Sequence, residues 1–350
     1  MDTLISIGIL FVVAFQAMGS WPETPMEFFS FLGSENFFLI FMPLVYWSID
    51  AALGVRLFFI SLAGASLNQF FKLPLHGSRP YWVSTNVRAM ASETGFGIPS
   101  GHAEIAAGLW GMVAAYYRRT WMWIAAVLLV LFIGLSRLYL GVHFPQDVLF
   151  GWTLGFLTLW AFVRFWAPIA ARVKGMSFWS QVGLAFAVSL LMVLFGALLT
   201  FLSRGFVLPG EWFANAARDG VDAPNPFVFS METLITSAAT LFGACIGLAW
   251  MARRGGFNAS GPLWKRVARF VVGLIGVLVL YAGLKAVFPS GDTFVPHVFR
   301  YIRYTFLGFW ISGAAPWTFA KLNLTRNHAG DYEGRIELAS KQGITSREAS

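Results

Sequence analysis

Charged residues are scarce in this chain, since only 12% of its 350 residues are Asp, Glu, Lys or Arg. A soluble domain carries about 25% charged residues. Apolar residues make up 57% and include 36 Phe and 15 Trp, and so few charges cannot cover that much apolar surface in water. The composition therefore excludes a soluble globular protein and a disordered one, and it favours a chain that lies largely within a lipid bilayer.

Cysteine is nearly absent as well. The single cysteine, Cys245, lies inside an apolar run. One cysteine excludes a disulfide scaffold, and a lone thiol in apolar surroundings is interpreted as a small core residue.

Long apolar runs are what the sequence has instead. A bilayer-crossing helix needs about 20 mostly apolar residues, and nine runs of this kind are bounded by charges, Pro or Gly clusters. They are residues 28–49, 51–71, 98–117, 121–140, 148–167, 178–202, 231–251, 270–288 and 298–320. The sequence therefore predicts an all-α polytopic membrane protein with about nine transmembrane helices.

The first 19 residues are apolar too, but this run is shorter. It contains Asp2 and no Lys or Arg, which argues against a cleaved signal peptide. We therefore expect the segment to be retained. From Leu4 to Gly19 it has 16 residues, so it can either cross the membrane or lie along its surface.

Basic residues outnumber acidic ones by 25 to 17, which gives a formal net charge of +8. Such an excess raises the question of a nucleic-acid partner. When alternate loops are assigned to one side of the membrane, that side holds eleven basic residues against one acid, Asp50. The eleven are Arg56, Arg118, Arg119, Arg164, Arg172, Lys174, Arg253, Arg254, Lys265, Arg266 and Arg269. By the positive-inside rule this side is cytoplasmic, and we expect no nucleic-acid partner.

The outer side carries three groups of polar and ionisable residues at the ends of predicted spans. The groups are Lys72 to Pro80, Pro99-Ser100-Gly101-His102, and Ser136-Arg137 followed by His143 and Asp147. Ionisable residues in and near a bilayer are costly, so their clustering on one face marks them as candidate functional residues.

Positive charge is the first property of these groups. Three of the side chains are cationic: Lys72, Arg79 and Arg137. They can neutralise a phosphoryl group, and guanidinium forks match its oxygens. Pro99 suits the first turn of a helix, which would leave the amides of Ser100 and Gly101 pointing at an anion, and Gly101 allows close backbone approach. The pattern predicts a phosphate-binding site.

Two histidines in the same groups supply acid, base and nucleophile. His143 and Asp147 are four residues apart, so they share a face if a helix starts near Phe144 or Pro145, and the carboxylate can then orient the imidazole. His143 would attack phosphorus, while His102 would protonate the leaving oxygen and then activate water. Positioning and charge neutralisation suffice for both steps, so we expect no metal ion and no other cofactor.

The three groups also resemble a known signature. K-x6-RP, PSGH and SR-x5-H-x3-D occur here in order and at the spacing of the type 2 phosphatidic acid phosphatase (PAP2) superfamily, over about residues 35–168. The resemblance implies a six-helix membrane core. It also implies roles for eight residues: Lys72, Arg79, Ser100, Gly101 and Arg137 bind phosphate, His102 is the acid and base, His143 is the nucleophile, and Asp147 orients it.

Two stretches, residues 72–82 and 93–103, are similar to the glucose-6-phosphatase branch of that superfamily. This branch does not keep an aspartate four residues after the nucleophile, whereas lipid-phosphate phosphatases do, as Asp147 does here. We therefore expect a membrane lipid phosphate monoester or pyrophosphate as substrate, with a sugar phosphate as the alternative. A lipid flippase or transporter is the alternative of another class, but it would place ionisable groups near the middle of the membrane.

The expected organisation has four parts: an apolar or interfacial segment at 1–34, a catalytic membrane core at 35–168, additional transmembrane helices at 169–320, and a cytoplasmic polar tail at 321–350. The additional helices carry no chemistry that the sequence reveals.

Glu93 and Arg88 either line the substrate entrance or are ordinary loop charges, and Glu104 is interpreted as a support for the site. We expect the plasma membrane as location, with the site extracytoplasmic; the oligomeric state stays open.

Overall fold

The computed structural model describes residues 2–222, 224 and 230–325, and all regular secondary structure within them is helical. The all-α prediction is therefore confirmed. Of the polar tail predicted at 321–350, the part from residue 326 onward lies outside the described residues.

Fourteen α-helices follow one another along the described chain. They are α1 (Asp2–Gln16), α2 (Glu23–Leu32), α3 (Glu35–Leu44), α4 (Ala51–Leu75), α5 (Pro80–Val83), α6 (Gly101–Tyr117), α7 (Thr120–Tyr139), α8 (Pro145–Lys174), α9 (Phe178–Ser203), α10 (Gly210–Arg218), α11 (Glu232–Ala252), α12 (Leu263–Val287), α13 (Phe294–Phe309) and α14 (Ala315–Lys321). Two π-helical turns, Val45–Ile49 and Trp310–Ala314, follow α3 and α13.

Each of the nine predicted spans is helical, but not each is long and apolar enough to cross a membrane by itself. Six spans meet that requirement among the described residues: α4 continued by α5, then α7, α8, α9, α11 and α12. The pair α2 and α3, bent by 51°, makes a seventh if it is one span. The count of nine is therefore not confirmed: α6 has 17 residues and α13 has 16. The reason is local, since α6 begins only at Gly101 and the π-helical turn Trp310–Ala314 separates α13 from α14.

The catalytic core predicted from the sequence is built around α6, which packs against α4, α7 and α8. Two glycines of α8 allow the closest approach. A Cβ on Gly151 would meet the Ser100 carbonyl oxygen, and one on Gly155 would meet the Glu104 carbonyl oxygen. Small residues at such crossings let membrane helices pack backbone against backbone. The crossing places the start of α6 directly beside the start of α8.

The helices after α8 form a second unit, here called the extension (residues 178–321). Within it α11 packs against α9 and α13, and both α9 and α11 contact α4 of the core. Glycines again set the distance between helices: a Cβ on Gly243 would overlap the Thr305 carbonyl oxygen, and one on Gly308 would overlap that of Thr240. The α11–α13 contact therefore depends on the absence of these side chains.

One element of the extension was not predicted. The short helix α10 lies between two spans and packs against α5 and the loop that follows α5. Trp212 of α10 stacks on Trp82 with ring centroids 5.1 Å apart, and the Asn215 side-chain amide donates to the Trp82 carbonyl oxygen at 2.8 Å. The extension thus reaches the loop between α5 and α6, which leads into the site.

We predict that Gly243→Ala weakens the α11–α13 contact, because its new methyl group has no space beside Thr305. The expected loss in the free energy of unfolding is about 1–3 kcal/mol. Thermal unfolding of the purified protein in detergent measures it.

Gly283→Ala is the matched control, since no atom lies within 4 Å of a Cβ at this exposed position of α12. Equal unfolding temperatures for the two variants would contradict the prediction.

Candidate active site

The three polar groups of the sequence meet at one end of the core. Four helix ends and two loops supply the side chains. Lys72 lies in the last turn of α4, Arg79 just before α5, Ser100 and Gly101 at the start of α6 with His102 in its first turn, Arg137 in the last turn of α7, His143 in the loop after α7, and Asp147 in the first turn of α8. Lys72 lies within electrostatic range of Arg79 and Glu93.

Arg79 is the most completely bound of these side chains. It has no exposed surface. Its guanidinium donates to three main-chain carbonyl oxygens, at 2.7 Å from Nε, 2.9 Å from Nη1 and 3.2 Å from Nη2. The acceptors belong to Gly95, Val142 and Phe96, respectively. Arg79 therefore ties the loop before α6 to the loop before α8.

His143 lies between Arg79 and Asp147. Its Nε2 is 3.3 Å from Nη1 of Arg79, and its Nδ1 is 3.4 Å from Oδ2 of Asp147. Because arginine can only donate, Nε2 must be the acceptor, and the proton of the neutral ring belongs on Nδ1, facing the carboxylate. The same Oδ2 accepts the Phe144 amide at 2.9 Å. As predicted, α8 starts at Pro145, which puts His143 and Asp147 on one face.

The loop position of His143 is buried and close to positive charge. Burial lowers the pKa of the imidazole, and the charges of Arg79 and Arg137 lower it further, to well below its usual 6.5. The ring is therefore neutral at pH 7. A neutral imidazole with its lone pair on Nε2 is the form that can attack an electrophile.

Glu93, for which the sequence left two interpretations open, lies in the middle of the charged groups. Its carboxylate binds Arg137 through Oε1, and its Oε2 lies 3.5 Å from Nη2 of Arg79. The Nδ1 of His102 lies 4.0 Å from Oε1. Burial alone would raise the pKa of Glu93, but the charges of Arg79 and Arg137 outweigh burial and lower it below its usual range. The sequence signal for Glu93 was its position as the first residue of the stretch 93–103, which contains the PSGH motif.

Arg137 takes its second partner from a helix outside the motifs. Its Nη1 donates to the hydroxyl of Ser30 in α2, while Nη2 binds Glu93. Its buried Nε has no hydrogen-bond partner. Sequence reasoning did not find Ser30, because a single serine in an apolar segment carries no spacing signal.

The turn at the start of α6 differs in two respects from the prediction, in the place of Pro99 and in the partner of the Ser100 amide. Ser100 is the N-cap, and Pro99 precedes it, so Gly101 is the first helical residue. The Ser100 amide donates to the main-chain carbonyl oxygen of Asp147 at 3.0 Å. The expectation that this amide points at an anion is therefore wrong, because the close crossing of α6 and α8 supplies a carbonyl acceptor. The Ser100 hydroxyl is buried without a hydrogen-bond partner, so it is the group of Ser100 that can face a phosphate.

A buried polar pair holds this turn from the opposite side. The side-chain amide of Asn68 in α4 donates to the Pro99 carbonyl oxygen at 3.3 Å and to Oε2 of Glu104 at 2.7 Å. Only 1% of Glu104 is exposed. The contacts agree with a supporting role for Glu104, and they add Asn68 to it. The turn is thus fixed between α4 and α8.

Glucose-6-phosphatases resemble this chain over most of its length. Glucose-6-phosphatase 3 of Homo sapiens is 27% identical over 91% of this chain and 95% of its own length. Glucose-6-phosphatase catalytic subunit 1 of Felis catus is 29% identical over 77% of this chain and 81% of its own length. The crystal structure of a transmembrane PAP2 type phosphatidylglycerolphosphate phosphatase from Bacillus subtilis is 24% identical, covering 48% of this chain and 88% of the other, with a TM-score of 0.42.

Two family models match separate parts of the chain. Residues 53–170 match the PAP2 superfamily, and residues 235–327 match the transmembrane extension of PAP2 superfamily phosphatases. Together they cover more than half of the sequence. The resemblance given by the three motifs is thereby confirmed. The chain belongs to the PAP2 superfamily and is a multi-pass protein of the lipid bilayer that hydrolyses phosphoric esters.

Proposed function

We propose that this protein hydrolyses a phosphate monoester in two steps, through a phosphohistidine at His143, on the extracytoplasmic face of the membrane. The observation that carries the proposal is the position of His143. Asp147 lies 3.4 Å behind its Nδ1, and Arg79 lies 3.3 Å from its Nε2. The arrangement supports a nucleophile whose tautomer and direction are fixed before substrate binds.

In the first step Nε2 of His143 attacks phosphorus, and the bond from phosphorus to the ester oxygen breaks. His102 gives its proton to that oxygen, so that an alcohol leaves. The imidazole becomes positively charged as it forms the phosphorus–nitrogen bond, and the Asp147 carboxylate stabilises that charge. The three cations stabilise the charge on the phosphoryl oxygens: Lys72, Arg79 and Arg137.

In the second step water attacks the phosphohistidine, and the phosphorus–nitrogen bond breaks. His102, neutral after the first step, takes the proton of the attacking water. Inorganic phosphate forms, and His143 returns to the neutral tautomer set by Asp147. Protons, charge and bonds balance over the cycle without an added cofactor.

For the substrate class we propose a sugar phosphate first. The support is the length of the similarity to proteins named glucose-6-phosphatases, which includes both the core and the extension. This reverses the order expected from the sequence, where the aspartate after the nucleophile favoured lipid phosphates.

A lipid phosphate is the second candidate. Asp147 and the position of the site at helix ends support it, because headgroups reach that depth while their acyl chains stay in the bilayer.

We predict that the purified protein releases phosphate from glucose 6-phosphate faster than from phosphatidic acid, sphingoid phosphate or isoprenoid pyrophosphate. A colorimetric phosphate assay in detergent measures the rates. Within the described part of the chain no group of three His, Cys, Asp or Glu side chains is placed to hold a metal ion, and we expect EDTA to leave the rate unchanged. If none of the four substrates releases phosphate, the proposed function is wrong.

We predict that His143→Ala lowers phosphate release by more than about a thousandfold, because the nucleophile is lost. His102→Ala should slow it by about 10²–10⁴-fold. Para-nitrophenyl phosphate has a leaving group that needs no proton, so with it the His102→Ala variant should accumulate an acid-labile phosphohistidine, detected with radiolabelled phosphate.

His297→Ala is the matched control, since this histidine lies in α13 and pairs with Asp292, at 3.2 Å, away from the site. Label retained by a His143→Ala, His102→Ala double variant would overturn the assignment of the nucleophile.

The orientation rests on the distribution of charge, and one cysteine per molecule can test it. In a Cys245→Ser background, we predict that Glu211→Cys in α10 reacts with a membrane-impermeant maleimide on intact cells. Lys174→Cys at the other end of the core should react only after lysis. Both positions are exposed. The opposite labelling pattern would place the site on the cytoplasmic side.

A further inference from the structure

Glu93 binds the same guanidinium groups that the proposed mechanism assigns to phosphate. Arg137 reaches it through Nη2, Arg79 lies 3.5 Å away, and the proposed acid His102 lies 4.0 Å away. A carboxylate and a phosphoryl group present similar oxygen pairs to a guanidinium fork. Both anions cannot occupy these donors at once.

The N–H groups of Arg79 leave little room for both Glu93 and a phosphate. An arginine has five N–H groups. Three donate to main-chain carbonyl oxygens, and the fourth faces His143. The fifth N–H group, on Nη2, faces the Glu93 carboxylate, whose Oε2 lies 3.5 Å away. Main-chain acceptors in tightly held loops are not released easily, so the exchangeable partner is the Glu93 carboxylate.

Arg137 leads to the same conclusion. One of its terminal nitrogens binds Ser30, and the other binds Glu93. The buried Nε has no partner, so a phosphoryl group that takes a two-point contact through Nε and Nη2 meets Glu93 at Nη2 and competes with it for that nitrogen. Displacement is feasible because Glu93 lies in a loop, and its side chain is 27% exposed whereas that of Arg137 is 2% exposed.

The backbone that carries Glu93 is held from two directions. The Tyr81 hydroxyl donates to the Glu93 carbonyl oxygen at 2.8 Å. From the extension, Oδ2 of Asp219 accepts the Ala89 amide at 2.8 Å, and Oδ2 of Asp222 accepts the Ser92 hydroxyl at 2.7 Å. The segment after α10 therefore keeps the loop over the arginines.

We propose that Glu93 is an internal anion that competes with phosphate for Arg79 and Arg137, and that the segment after α10 holds it in place. This inference rests on the proposed function, because it takes these arginines as the phosphate-binding groups. Competition weakens the binding of inorganic phosphate, the product, and so favours its release. If Glu93 holds the arginines about nine-tenths of the time, the apparent Kd for phosphate lies about tenfold above its intrinsic value.

The test is the Kd of inorganic phosphate, measured by calorimetry on the purified full-length protein in detergent. Glu93→Gln should lower this Kd roughly tenfold, and the inhibition constant of phosphate should fall by the same factor. Glu93→Asp keeps the charge on a shorter side chain, so its Kd for phosphate should lie between those of the wild type and of Glu93→Gln. A role confined to holding the fold would leave the Kd unchanged or raise it, and that result overturns the proposal.

Variants of the extension test the second half of the proposal. The double variant Asp219→Asn, Asp222→Asn loosens the loop that carries Glu93 without changing a residue of the site. Like Glu93→Gln, it should lower the Kd for phosphate. An unchanged Kd would remove the extension from the proposal. Glu23→Gln is the control, because Glu23 pairs only loosely with Arg88, at 3.9 Å, near the same loop; its Kd should stay at the wild-type value.

One further variant separates this inference from the proposed function. Arg137→Ala should abolish phosphate binding in both the wild-type and the Glu93→Gln background. If phosphate binds equally well without Arg137, the proposed phosphate site is wrong. If Arg137 is required but Glu93→Gln does not tighten binding, the proposed function stands and the internal anion is overturned.

Discussion

A buried guanidinium needs acceptors around it, because an uncompensated charge in a protein interior costs several kcal/mol. Arg79 meets this requirement with oxygens from the loop before α6, a carbonyl oxygen from the loop before α8, and the imidazole of His143. One side chain therefore fixes two loops relative to each other. His143, the proposed nucleophile, and the loop that carries Glu93 both take their positions from it.

Asp147 contributes to the site in two ways. Its side chain faces the imidazole of His143, and its main-chain carbonyl oxygen accepts the amide of Ser100. His143 and the turn that holds His102 are thus attached to the same residue of α8. The glycines of α8 allow this, since a side chain at Gly151 would separate α8 from that turn. The packing of α6 against α8 within the bilayer therefore also sets the positions of the site residues at its surface.

The sequence predicted the fold class, and the eight residues that it singled out lie together at one end of the core, because the motif spacing and the helix ends are local properties. It did not predict the contact of Glu93 with Arg137, the contact of Ser30 with Arg137 or the pairing of the Ser100 amide. These depend on partners 44, 107 and 47 positions away, respectively, which no periodicity encodes. The count of nine spans is not confirmed for a different reason: apolar runs mark helices, but α6 begins only at Gly101 and a π-helical turn follows α13, which leaves both helices short.

The N-terminal helices α1 and α2 have a consequence for biosynthesis. Gln16 binds the carbonyl oxygens of Arg88 and Tyr139, and Ser30 binds Arg137, so both side chains leave the ribosome long before the helix that pairs with them. The contacts with Tyr139 and Arg137 form only after α7 has been made, so the site is completed when the first segment of the chain meets a helix made more than a hundred residues afterwards.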